Sequence, residues 1–176
     1  SYHNLEHIVT MLDELDGVTG YLVNPEEVTM AVWWHDIIYE TATKNHPNTD
    51  GNEERSAHRA QLDLSRLELA ENITVSIKKL IMTTTHAKPV SDPDAQFLMD
   101  IDLTILGQSE ELFDEYERQI RKEYEWISEN EFITRRSAIL KSFLDRPSIY
   151  STEFFRNKYE KIARINLERS VKKLQN

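Results

Sequence analysis

Pro25–Glu40 reads PEEVTMAVWWHDIIYE. Asn24 before the proline is a helix-opening signal: asparagine caps, proline fits the first turn, and Glu26 and Glu27 suit the positive end. The helix predicted here runs through the whole stretch and is apolar nearly all round, which places it at the centre of a fold. His35 and Asp36 stand inside it. A carboxylate beside an imidazole in such surroundings is costly unless something compensates both. A divalent cation does so, because it takes neutral imidazole nitrogen and carboxylate oxygen together.

Outward from this stretch the pattern stays helical. Leu5, Ile8, Val9, Leu12 and Leu15 recur at helical spacing upstream. Asp16-Gly17 and Gly20 break that run. Downstream, TATKNHPNTDGN (Thr41 to Asn52) is a polar loop of turn formers beside the suspected site, the usual place for a lid or binding loop. A third helix starts near Glu53 and carries Ala57, Ala60, Leu62, Leu64 and Leu67. A fourth spans about 71–84, with Ile73, Ile77, Leu80 and Ile81 inward. A fifth runs from Asp94 to about Leu106 and stops at Gly107. Three more follow, over about 109–127, 131–144 and 152–174. With 4 Gly and 5 Pro in 176 residues and few alternating β-branched runs, the expected class is all-α, a bundle of about eight helices. A single domain over 1–176 is expected, with a core at about 1–107 and C-terminal helices at about 108–176. The chain opens without Met inside a helical pattern, so residues upstream of Ser1 are expected.

Composition removes several functions. There is no cysteine, hence no disulfide framework, thiolate zinc site or cysteine nucleophile. Lys and Arg number 21 against 31 Asp and Glu, a net charge of −10 that opposes a broad grip on a nucleic-acid polymer or an anionic lipid surface. No apolar run approaches the ~18 residues of a membrane span. No signal peptide is visible, and a cytoplasmic location is expected.

Six histidines, at 3, 7, 35, 46, 58 and 86, supply the chemistry. His3 and His7 are four apart on one helix face. Asp100 and Asp102, in FLMDIDLTIL, are acids within another apolar helix, and their spacing points them in different directions. Singly, each has an ordinary explanation as a hydrogen-bonded core residue or a paired acid. Jointly, a histidine pair, an HD dipeptide and an acid in a third helix make several buried polar groups that one metal would explain. His46 and His58 lie among polar neighbours and read as surface. Trp33 and Trp34 read as core aromatics. The stripe Leu112, Phe113, Tyr116, Ile120, Tyr124 and Ile127 reads as core packing, with contact between copies of the chain as the alternative.

The order His7, His35-Asp36, Asp102 resembles the H…HD…D ligand pattern of the HD-domain metal-dependent phosphohydrolases, an all-helical family. WWHDIIYE looks like that family's second ligand helix. YHNLEH resembles a first-helix signature in which the second histidine is the ligand, and DIDL resembles a D-x-D whose second acid binds. NEERSA (Asn52 to Ala57) and THAKP (Thr85 to Pro89) are similar to a bacterial subgroup of predicted HD hydrolases. The resemblance covers roughly residues 1–107 and departs from the family at Ile37-Ile38-Tyr39 and at Leu103.

It implies a cation, one of Mn, Fe, Co, Ni, Zn or Mg, held by His7, His35, Asp36 and Asp102, with His3 lining the pocket. The implied reaction is attack by activated water on a small phosphorylated molecule, a nucleotide among the candidates. Asp36, Glu53 and His86 are candidate catalytic groups: Asp36 to orient water, Glu53 as base or as partner to a ligand histidine, His86 to donate to phosphate or hold a second ion. Lys88 is a candidate for phosphate and Tyr39 for the pocket wall. The rival readings are an HD-type di-iron oxygenase and a non-catalytic ligand-binding module.

Overall fold

Asn4 opens the first helix. Its Oδ1 accepts from the backbone N–H groups of Glu6 (2.7 Å) and His7 (3.2 Å), which satisfies two donors that a helix start leaves open. The helix α1 is Leu5–Asp16. The computed structural model describes residues 2–41 and 51–175. After α1 come α2 (Pro25–Trp34), α3 (Asn52–Arg66), α4 (Glu71–Thr83), α5 (Pro93–Asp102), α6 (Glu110–Glu123), α7 (Glu129–Leu144) and α8 (Glu153–Leu174), with short 3-10 turns at Thr19–Tyr21 and Leu103–Gly107. Among the described residues every regular element is helical, as the sequence predicts. The polar loop read as a lid or binding loop falls largely on 42–50, outside the described residues.

The chain groups into two units, His3–Asp102 and Leu103–Asn176 with Ser1–Tyr2. In the first, α2 packs against α1, α4 and α5, and α3 against α4. Met11, Val28, Ala31, Val32, Ile77 and Leu98 are buried there and exclude water from the helix interfaces.

The helix α2 is shorter than its apolar sequence predicts. It ends at Trp34, and His35 is its C-cap. The next backbone groups are satisfied from α3 instead. Ser56 Oγ accepts from Ile38 N–H and donates to Ile38 C=O, both at 3.1 Å. The Asn52 amide does the same for Glu40, again at 3.1 Å each way. Arg55 adds an ion pair to Glu40 at 2.8 Å. With these partners the backbone no longer needs the i→i−4 ladder. The HD pair therefore sits at a helix end, and the helix is not buried all round: Trp33 is 43% exposed, against the expectation that it packs in the core.

Asn24 does not cap α2 through its side chain. It turns to Asp94 at the start of α5. The buried Asp94 carboxylate accepts from Val23 N–H (2.7 Å), Asn24 N–H (2.8 Å) and Asn24 Nδ2 (3.3 Å). One acid thus joins the origins of the helices that lead to His35 and Asp102. Asp94→Ala is expected to lower stability by about 2–3 kcal/mol, because charge-assisted bonds are lost and two N–H groups are left without their acceptor. Chemical denaturation measures this.

In the second unit α7 packs on α8, and α8 on the 3-10 turn. Asn166 Nδ2 donates to the carbonyls of Leu106 and Gln108, each at 2.9 Å. Gly107 permits the approach of α8, since a Cβ there would lie 2.5 Å from Tyr159 Cβ. The sixth helix ends at Glu123, short of the expected 127, where Arg121 donates to the carbonyls of Tyr124 (2.7 Å) and Ile127 (3.3 Å). Phe113, Ile120 and Ile127 of its stripe are buried as expected, but Leu112 is exposed. Among the described residues no helix is long and apolar enough to cross a membrane.

Candidate metal centre

Three helices of the first unit deliver the site. The first turns of α1 present His7, the end of α2 presents His35, and the last residue of α5 is Asp102. The Nε2 atoms of His7 and His35 are 3.3 Å apart. Asp102 Oδ1 is 3.3 Å from His7 Nε2 and 3.9 Å from His35 Nε2. These three residues can hold a metal ion: one ligand atom from each lies within 4.8 Å of the others. Asp36 Oδ2 is 3.1 Å from His35 Nε2 and 4.0 Å from His7 Nε2.

The donor chemistry fits a cation. His35 Nδ1 is 2.9 Å from the Val32 carbonyl, which can only accept, so Nδ1 carries a hydrogen. In the neutral ring Nε2 then bears a lone pair. That lone pair faces a carboxylate oxygen of Asp36 at 3.1 Å, a contact that repels unless a positive charge lies between them. A bound proton is one remedy. Burial pushes the His35 imidazolium towards deprotonation, but the hydrogen bond and charge of Asp36, the charge of Asp102 and the Val32 carbonyl outweigh it and raise the pKa from 6.5 to about 9. Asp102 shows the counterpart. Burial pushes its carboxyl up, yet hydrogen bonds from His7 and His86 hold it well below the usual range. A divalent cation is the other remedy, and it would satisfy all the lone pairs at once.

Access is uneven. The side chains of His7 and His35 are 3% and 2% exposed, whereas Asp36 and Asp102 retain 15% and 17%. The carboxylates are therefore less deeply buried than the imidazoles.

The remaining candidates fall at varied distances. His86 Nε2 is 2.8 Å from Asp102 Oδ2. The His3 ring stacks on Tyr39 with centroids 3.7 Å apart, and its centroid is 6.1 Å from that of His7. Glu53 is half-buried on the first turn of α3 and is not in the converging group, and Lys88 is exposed. Asp100 is buried on α5, but the converging acid is Asp102. His58 is exposed, as its polar neighbours predict, and His46 lies outside the described residues. Asn4, Ser56 and Asp94, which set the backbone of the ligand-bearing segments, escape a reading based on apolar spacing. For Asn4 a signal existed, an asparagine just before a helical run.

Comparison of the chain with models of known families, with curated proteins and with solved structures gives no match.

Proposed function

We propose that this chain is a metal-dependent phosphohydrolase of the HD type, acting on a small phosphorylated molecule. The observation that carries the reading is the convergence of His7, His35 and Asp102 from three helices, with Asp36 beside them at 3.1 Å from His35 Nε2. This is the residue order of the H…HD…D pattern.

In this reading His7 and His35 offer neutral imidazole nitrogens, and Asp36 and Asp102 offer carboxylate oxygens. When bound, a divalent cation supplies a Lewis acid for a phosphoryl oxygen and lowers the pKa of water. The imidazoles stay dry, which keeps the ligand field fixed. Asp36, the less deeply buried neighbour of His35, can orient water or substrate beside the cation. The His3–Tyr39 stack offers an aromatic wall for the organic part of a substrate.

Loading has a definite pH dependence. The cation must displace the His35 proton, so its apparent affinity is expected to rise about tenfold per pH unit below 9 and to level off above it. Without the cation the sign is opposite. The raised His35 pKa stabilises the fold fully below pH 6.5, and that contribution disappears as pH rises through about 9. Calorimetric titration with Mn(II) between pH 6 and 9.5 checks the first, and melting temperatures in chelator check the second.

The activity test is a panel of phosphomonoesters, phosphodiesters and nucleotides with Mn, Co, Ni and Mg. Cation-dependent phosphate release is expected. Metal binding with no release from any member, and thermal stabilisation by a ligand instead, would favour the binding module. Bound iron with oxygen consumption would favour the oxygenase.

A further inference from the structure

Asp102 ends its helix, and its carboxylate has two directions to satisfy. Oδ1 faces the imidazole pair, 3.3 Å from His7 Nε2 and 3.9 Å from His35 Nε2. Oδ2 faces away from it, to His86 Nε2 at 2.8 Å. A carboxylate only accepts, so His86 donates Nε2–H.

The backbone of His86 is unusual as well. It follows the end of α4 with φ 52°, in the left-handed region, where glycine ordinarily closes a helix. Its N–H donates to Thr83 C=O at 3.0 Å. An imidazole thus occupies a position that backbone sterics would give to glycine, and its side chain is only 13% exposed. Nε2 is engaged with Asp102, so a donor to a substrate phosphate or a ligand to a second ion would have to act through Nδ1, which is buried.

We propose that His86 is a positioning residue, whose Nε2–H holds Oδ2 of Asp102 and so presents Oδ1 to the cation shared with His7 and His35. This rests on the metal-binding reading above. A hydrogen-bonded partner of this kind fixes the orientation of a ligand carboxylate, and its loss typically weakens metal binding 10- to 100-fold.

The test is calorimetric titration of the full chain with Mn(II), for the unmodified protein, His86→Gly and His86→Gln, alongside metal-free melting temperatures. Glycine removes the donor and relaxes the backbone. Glutamine returns an N–H donor at similar reach. His86→Gly is expected to bind Mn(II) about 10- to 100-fold more weakly at unchanged stoichiometry, with relief of the left-handed backbone offsetting only part of the stability lost with the Asp102 hydrogen bond. His86→Gln is expected to recover most of the affinity. Unmodified affinity in His86→Gly overturns the proposal, as does a fall in stoichiometry from two ions to one, which would make His86 a direct ligand. An affinity loss that glutamine does not restore also overturns it. If the unmodified protein binds no Mn(II), the metal reading itself fails.

Discussion

His35→Ala is expected to weaken divalent-cation binding by more than about 100-fold and to reduce phosphate release to background. Even the loss of a group that only orients a ligand costs 10- to 100-fold, and His35 is more central than that. Its Nε2 lies 3.1 Å from Asp36 Oδ2 and 3.3 Å from His7 Nε2, and its tautomer is fixed by Val32. Truncation also leaves two carboxylates without the positive charge that balances them, so the metal-free variant loses stability too. Asp36→Asn separates the effects. It keeps the volume, removes a carboxylate charge and is expected to lower affinity without unfolding the chain. Calorimetry and circular dichroism on both variants check this.

The second large effect is on stability. A cation that binds the folded site and not the unfolded chain stabilises by about 4 kcal/mol at a thousandfold excess over its dissociation constant. For a chain of this size that corresponds to roughly 8–16 °C in melting temperature. The rise is expected with Mn(II), Co(II) or Zn(II), reversed by chelator, and absent in His35→Ala. The reason is topological. His7, His35 and Asp102 come from α1, α2 and α5, so one ion ties together three helices that are far apart in sequence. Scanning calorimetry with and without chelator measures it.

Much of the fold could be read from spacing. Ile77, Leu80 and Ile81 follow the helical period, and all three are buried in α4. That inference works because the period depends only on local geometry. The end of α2 was not legible, because the groups that stop it, Ser56 and Asn52, lie 18 and 12 residues from their partners. Asn24 misled for the same reason: its preference for a cap is local, and Asp94, 70 residues away, offers it a stronger acceptor. Trp33 was placed in the core by its size alone, but its position on α2 turns it outward.

The site divides along the same line. His7, His35 and Asp102 could be found because acids and imidazoles in apolar helices stand out singly, and a common ion explains them together. The choice of Asp102 over Asp100 came from a resemblance, and the cluster places Asp102 with the imidazoles. Glu53 was suggested by its neighbours in NEERSA. The residues of that segment that reach the stretch after the HD pair are instead Asn52, Arg55 and Ser56. The bond between His86 and Asp102 joins residues 16 apart, one beyond the end of α4 and one at the end of α5, and no periodicity encodes it.

Anomalous diffraction from crystals grown with Mn(II) above its measured dissociation constant is the most direct test of the metal centre. The account predicts a single strong peak among His7 Nε2, His35 Nε2 and the carboxylate oxygens of Asp36 and Asp102. A map with no peak there, or with manganese bound only elsewhere on the chain, would contradict it.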